Sequence, residues 1–531
     1  MDCTATRISY QETGYFSGIV ADYLTQSASI QAFLRHPPTI DGIKSAIQAR
    51  RQSKINRTLL VEELKKQYRA VESEESVNNN IQKLLNENCF TVTTAHQPAI
   101  FTGPLYFIYK ILHAIRLSDH LSEIFSDCLF VPVFYMGCED ADLDELGKIF
   151  VEGQEIVWDT KQTGAVGRMK TKGLEKIIDR IDGEFSVQPH GKALVKLFKE
   201  CYLNSENIQM ATFKLLHSLF AQSGLIVLIP DNPQLKRTAI DLFEDDLFRN
   251  KPMKILEEPL ADMEKNYKIQ AQPRPINLFY LKDALRGRIE KVGEKFLVHE
   301  SRLSFTEKEL SDELHQYPDR FSPNVILRGI FQEMILPNII FLGGGSELAY
   351  WLEFKCLFEH YQVPYPVLLV RNSFLIIENK WREKLERSGL SVNDIFKSED
   401  ALVNELVKKE SGHKLGLEHE IDDANQYYER LKALSVSIDP TLSQHIEALQ
   451  SKAIKPIKEL EKKFLKAEKR KFAELQRQII LIRSALFPLN GLQERVDNFT
   501  PYYASRGKAF IDAIYKHSLT TEQEFVVLEE K

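Results

Sequence analysis

Short apolar runs that end in polar or glycine-rich turns recur five times along the chain, with helical spacing between them. The first run, 90–94, is β-branched and aromatic and reads as a buried strand. A turn at 95–104 follows, holding His96, two prolines and Gly103. Beyond it Leu105, Ile108, Leu112 and Ile115 keep the spacing of one helix face. Runs at 129–135, 225–229, 339–342 and 367–370 repeat this grammar. They end in the acidic stretch 137–145, in Pro230-Asp231-Asn232-Pro233, in Gly343-Gly344-Gly345 and in Arg371-Asn372-Ser373. Apolar strands alternating with helices predict an α/β fold, a Rossmann-like parallel sheet covered on both faces. Ligands of such sheets bind at the carboxyl ends of the strands.

Residues 1–88 carry helical stripes at 18–24, 43–49 and 59–68, so this segment is expected to be helical and to cover one side of the sheet. Stretches 146–215 and 250–322 exceed what a crossover needs and contain strand-like pieces at 149–158, 278–281 and 295–299. They read as two insertions on the ligand edge. After Arg371 the chain turns to charged helices at 378–389, 401–410, 423–434 and 442–486, with Pro440 between the last two. Ile457, Leu460, Phe464 and Ala467 form an apolar stripe; Phe472, Leu475, Ile479, Ile482 and Leu486 continue it after a one-residue slip. That pattern predicts a coiled-coil arm with a phase break and a kink at Pro456; a helical hairpin folded on its own body is the plain alternative. If the stripe is a dimer seam, charges at Leu475 and Ile479 give monomers. The expected domains are a core at 1–390 with insertions at about 150–215 and 250–322, an arm at 391–490, and a segment 491–531 packing back on the core.

The chain of 531 residues is 43% hydrophobic and 27% charged, which places it with soluble globular proteins of more than one domain. A net charge of -6 gives no general attraction to nucleic acid or to an anionic membrane. No apolar run approaches the roughly 20 residues of a membrane helix, and the N-terminus lacks a signal-like apolar stretch. The six cysteines are scattered without a C-x-x-C pair, so a reducing cytoplasm and no structural zinc or other metal site are expected.

No phosphate-binding P-loop, H-E-x-x-H or G-x-S-x-G motif is present, so candidate chemistry comes from the strand ends. Gly343, Gly344 and Gly345 precede a helix whose free N–H groups suit a phosphate or carboxylate, with glycine allowing φ > 0 and close approach; a packing turn is the alternative. Glu139, Asp140, Asp142, Asp144 and Glu145 can hold an ammonium or Mg²⁺, act as a general base, or cap a helix. His96 can contact a phosphate or shuttle a proton, or be structural. Arg328, near Gln332 and Glu333, can clamp a carboxylate. Cys138 ends a strand, but nothing local lowers its pKa.

Several motifs occur together in one order: Thr94-Ala95-His96-Gln97-Pro98 with Thr102-Gly103-Pro104-Leu105-Tyr106 and Lys110; Glu139-Asp140 with Asp142; Gly167-Arg168; Asn277-Leu278-Phe279-Tyr280; Asn324 with Arg328, Gln332 and Glu333; Gly344-Gly345 with Glu347 and Tyr350-Trp351; Arg371; and Gln493-Glu494-Arg495. In these the chain resembles, almost end to end, the BshC family, bacillithiol synthase or the cysteine ligase of bacillithiol biosynthesis. Ala95 stands where the family commonly has glycine, and Gly344-Gly345-Ser346-Glu347 replaces a G-P-x-E-type turn. The resemblance implies a Rossmann-like core with two connecting-peptide insertions and a C-terminal coiled coil that forms a homodimer. It implies a cytoplasmic ligase adding L-cysteine to the amine of glucosaminyl-malate, with ATP or another nucleotide and possible use of Mg²⁺. The chain lacks the H-I-G-H and K-M-S-K-S signatures of class I synthetases. Glu139, Asp140, Asp142 and His96 are then the catalytic candidates. Gln97, Thr102, Gly103, Tyr106, Asn324, Arg328, Gln332, Gly344, Gly345, Glu347, Tyr350 and Arg371 are the binding candidates, with Lys110 as a further phosphate contact. Two alternatives remain open: a dimeric nucleotide- or metabolite-binding scaffold without ligase activity, and a related nucleotidyl-transferring enzyme acting on another amino acid.

Overall fold

The computed structural model describes residues 1–411 and 416–531. Five strands form the central sheet: β1 (Cys89–His96), β2 (Leu129–Met136), β3 (Ile226–Leu228), β4 (Asn338–Gly343) and β5 (Val367–Val370). Their order is β5-β4-β1-β2-β3, and every pairing is parallel. The chain works outward from β1 to one edge, then returns to β4 and works outward to the other. The topological switch point therefore lies between β1 and β4, where a doubly wound sheet opens a crevice. Almost all of β1 is buried, and its threonines are absorbed by β4 and by one another: Thr91 Oγ1 lies 3.2 Å from Asn338 Oδ1 and 3.2 Å from Thr93 Oγ1, and Thr94 donates to the Leu342 carbonyl at 2.9 Å. Polar side chains thus sit in a core strand without an unpaired group.

Four helices position the site: α1 (Tyr106–Ile124), α2 (Pro233–Arg237), α3 (Val325–Ile335) and α4 (Gly345–Glu353). α1 follows β1 directly and is buried along most of its length, as its apolar residues on several faces require. Helix Ile40–Arg51 packs Ile43, Ala46 and Ile47 against Phe90, Val92 and Ile340 of the sheet. The first insertion opens with the hairpin Lys148–Val151 and Gln154–Val157. The second builds a five-stranded antiparallel sheet whose strands include Leu278–Lys282 and Leu285–Val292. No helix among the described residues is long and apolar enough to cross a membrane.

The N-terminal segment departs from the helical expectation. Strand Cys3–Ser9 pairs antiparallel with Glu524–Glu530, and Ser373–Ile377 completes a three-stranded sheet. Cys3 and Ile8 are its only buried hydrophobic residues, too few to set a period of two, and its partner lies at the far end of the chain.

By contacts the chain divides into Met1–Ile376 with Gly491–Lys531, and Ile377–Asn490. In the second unit, helices Glu418–Ile438 and Leu442–Lys469 form an antiparallel pair, bridged by Gln450 to Asn425 at 2.9 Å. Pro456 lies inside the second helix without ending it. The slip in the apolar stripe falls at a tight turn, Arg470–Phe472, before helix Ala473–Leu486. Ile479, expected at a dimer seam, is instead fully buried against Leu402, Val403, Leu406 and Val407 of helix Glu399–Glu410. The Leu475 side chain lies outside the described residues. Leu460 and Phe464 of helix Leu442–Lys469 remain 44% and 41% exposed, as do Leu434 and Ile438 of helix Glu418–Ile438 at 60% and 78%.

Candidate functional site

A cavity of about 630 Å³ opens at the switch point, lined from the ends of β1, β2 and β4, from α1, α3 and α4, and from Arg371 after β5. It brings together His96, Gln97, Tyr106, Asp140, Asn324, Arg328, Gln332, Gly344, Gly345, Glu347, Tyr350 and Arg371. Glu139, Asp142, Thr102 and Gly103 do not line it.

Asp140 is the hub of one wall. It accepts from Gln97 Nε2 at 2.9 Å and from Arg286 at 3.4 Å, and it pairs with Arg328. Burial alone would raise its carboxyl, but the guanidiniums of Arg328 and Arg286 hold it below the ordinary carboxylate range. It is an ionised anchor with its lone pairs committed, poorly suited to taking a proton. Arg286 comes from the second insertion, lies over the Phe279 ring at 3.8 Å, and keeps a buried Nε with no partner. Two arginines share one carboxylate here, so this wall retains a positive charge. Asn324 caps α3 by accepting from Ile326 N–H at 2.8 Å, which fixes the helix that carries Arg328 and Gln332.

The opposite wall ties β1 to β4. Lys110, one turn into α1, donates to the Ala95 carbonyl at 2.8 Å and pairs with Glu347. Glu347 also accepts from Gly344 N–H at 2.8 Å, so part of the helix start is neutralised by its own side chain. Burial would raise Glu347, but Lys110 and that N–H hold it below the usual range. None of the three glycines adopts a positive φ, contrary to expectation; Gly344 sits at φ -71°. The tight fits are elsewhere: a Cβ on Gly343 would meet Phe341 at 2.9 Å, and one on Gly345 would meet Val20 at 3.0 Å. At Gly344 an added Cβ meets only ordinary contacts beside Arg371.

His96 places Nδ1 2.9 Å from the Gln97 carbonyl and Nε2 2.9 Å from the Tyr106 hydroxyl. Burial, then the Lys110 ammonium, push its pKa down to about 4, so the imidazole is neutral, accepting from Tyr106 and donating to Gln97. Arg371 makes a bidentate pair with buried Glu494, at 2.9 and 2.8 Å, and its guanidinium lies 4.8 Å from the Tyr106 ring centre.

The remaining candidates have other work. Glu139 pairs with Lys236 of α2 in a buried network that continues to Asp231 and Arg168, whose bidentate contacts are 2.7 and 2.6 Å. Burial raises Glu139 even with Lys236 beside it. Asp142 caps the short helix Leu143–Leu146, accepting from Glu145 N–H at 3.1 Å. Thr102 and Gly103 form the positive-φ turn behind the cavity, held by Asn498, which donates to the carbonyls of Phe101 and Gly103 at 2.8 and 2.6 Å. Burial pushes the Cys138 thiol well above its ordinary range. Sequence reasoning missed Arg286 and Arg495 as lining groups and did not separate Glu145 from its acidic neighbours. The run Gln493-Glu494-Arg495 was the available signal for the second; Arg286 had none.

The donor set fits an anion. Lys110, Arg286, Arg328, Arg371 and Arg495 face three carboxylates, and the orphaned Arg286 Nε awaits an acceptor. Among the described residues no group of three or more His, Cys, Asp or Glu side chains is arranged to hold a metal ion, so no chemistry is derived through Mg²⁺.

Two family models match: the bacillithiol biosynthesis BshC N-terminal Rossmann-like domain over residues 1–372, and the BshC C-terminal coiled-coil domain over 374–530. Relatives bearing the name "Putative cysteine ligase BshC" include one from Flavobacterium johnsoniae, 36% identical over 98% of this chain and 99% of its own length. Those from Flavobacterium psychrophilum and Cytophaga hutchinsonii are 36% and 35% identical, each over 96% of both chains.

Proposed function

The chain belongs to the BshC family of bacillithiol biosynthesis, and from that premise we propose that it is a ligase joining the carboxyl of L-cysteine to the amine of glucosaminyl-malate. The reading includes nucleotide dependence and a homodimer formed through the coiled coil. The observation that carries it is the charge of the cavity. A chain with net charge -6 gathers five cations at its switch point against three lining carboxylates and the buried Glu494 behind Arg371. That local excess suits a polyanionic substrate such as a malate conjugate or a phosphate ester. Arg286 and Arg328, oriented by Asp140, are assigned to the malate carboxylates. Gly345 and Ser346 at the start of α4, with Arg371 beside the preceding Gly344, suit the phosphates of a nucleotide, which supplies activation of the cysteine carboxyl when bound. Amide formation also needs the attacking amine to shed a proton and water to be excluded. The Tyr106–His96 pair offers a neutral acceptor chain at the cavity wall for that proton.

The test is purified protein with L-cysteine, glucosaminyl-malate and ATP. Thiol product with stoichiometric nucleotide consumption is expected. Substrate binding without product would instead favour a scaffold without ligase activity.

A further inference from the structure

Eight charged side chains line the cavity, and six are already paired as described above. Glu145 and Arg495 remain: among the described residues neither side chain has an ion pair or a hydrogen bond. One is an acid and one a base, and they reach the cavity from unrelated parts of the chain. Glu145 stands on the helix capped by Asp142 at the end of β2. Arg495 ends the turn Gln493–Arg495, whose other residues are locked. Gln493 exchanges bonds of 2.9 and 3.1 Å with the Ile376 backbone, and Glu494 is spent on Arg371. The Arg495 backbone is thus fixed while its guanidinium, 5.8 Å from the Phe16 ring centre, has no anionic or hydrogen-bonding partner among the described residues, the arrangement of a preorganised ligand contact. Both groups lie within electrostatic reach of the Tyr106 phenol: burial raises its pKa, Arg371 lowers it, and Glu145 and Arg495 add a rise and a fall of their own. Each also lies where its own charge is disfavoured. Burial, then Asp142 and Asp140, raise Glu145; burial, then Arg371, lower Arg495.

We propose that Glu145 and Arg495 form a clamp for a free α-amino acid, the carboxylate taking its ammonium and the guanidinium its carboxylate. On the reading above, on which the choice of amino acid rests, that ligand is cysteine. A zwitterion satisfies both groups at once, whereas an amine or a carboxylate alone leaves one of them opposite nothing. The assignment moves ammonium recognition from Asp140, whose lone pairs are committed, to Glu145.

Calorimetric titration of the full chain with L-cysteine, cysteamine and 3-mercaptopropionate tests this. The native protein is expected to bind cysteine at least tenfold more tightly than either truncated analogue. Glu145→Gln should lose that margin over 3-mercaptopropionate, and Arg495→Gln the margin over cysteamine, with cysteine affinity falling roughly 10- to 100-fold in each. Both residues reach solvent while the cavity wall partly desolvates their charges, and neither holds a structural ion pair, so thermal melting should not move, and Arg495→Lys should recover part of the loss. Unchanged cysteine affinity in both glutamine variants overturns the clamp, while product formation by them would leave the ligase reading standing. If another α-amino acid binds better than cysteine and shows the same two losses, the clamp holds and the cysteine assignment fails. A native chain that binds no α-amino acid overturns both.

Discussion

Lys110 and Glu347 tie the ends of β1 and β4 together, but they are not equally dependent on each other. The Lys110 side chain is 1% exposed and that of Glu347 24%. Glu347→Gln strands a buried ammonium and is expected to cost about 3–5 kcal/mol in urea unfolding. Lys110→Met leaves a carboxylate that water still reaches and should cost less; equal losses would show that both charges are equally solvated. Gly344→Ala should leave stability within about 0.5 kcal/mol, since its φ and contacts are ordinary, whereas Gly343→Ala must displace Phe341 and should cost about 1–3 kcal/mol. If Gly344 matters to function, ligand affinity should fall in its variant while the melting temperature holds. His113 is held neutral by accepting from Asn372 N–H at 3.1 Å and donating to the Thr520 carbonyl at 2.9 Å, and burial lowers its pKa to about 4. A depressed folded pKa gives stability present above pH 6.5 and lost as pH falls toward 4, about 3 kcal/mol over that span. Asp246 and Glu353, raised by burial to about 7, work in the opposite sense. The difference in pH dependence between the native chain and His113→Gln therefore isolates the histidine; identical profiles would refute the assignment. At this scale the sequence disclosed which residue types stand at strand ends, but not how their charges are spent. Asp140 reads as a base until two arginines are found on it, and one of them, Arg286, comes from an inserted sheet with no local mark.

The elements themselves were the most legible part, because each buried strand is a near-continuous apolar run that a parallel sheet requires. All five appear within two residues of the expected bounds at either end. The edge strand Cys3–Ser9 was not legible, since its partner is remote and it shows hardly any apolar period. The arm was readable as helices with a phase break, yet periodicity could not say which positions face the chain's own helices. Ile479 faces inward, so Ile479→Lys should destabilise the helical unit itself, by the cost of placing a charge in an apolar cluster. Leu460→Lys with Phe464→Lys, both on exposed positions, should leave helicity intact while converting a dimer to monomers by light scattering. A dimer that survives the second pair would put the seam elsewhere.

On the scale of the whole molecule, the core is closed by segments far apart in sequence. Glu524–Glu530 is the middle strand of the three-stranded sheet, between Cys3–Ser9 and Ser373–Ile377. Arg7 and Glu524, which meet across it, are 517 positions apart. During synthesis at about 5–20 residues per second, the first strand therefore waits roughly half a minute to two minutes for its neighbour. Arg371 waits in the same way for Glu494, so the wall of the cavity is charged but unpaired while the arm is being made. Ribosome-bound chains that stop short of residue 524 should expose 3–9 to proteolysis, and chains long enough to clear the exit tunnel should protect it. For this protein, the cavity acquires its final electrostatic form only once Glu494 and Arg495 have been made, and Glu494 comes 123 positions after the Arg371 it pairs with.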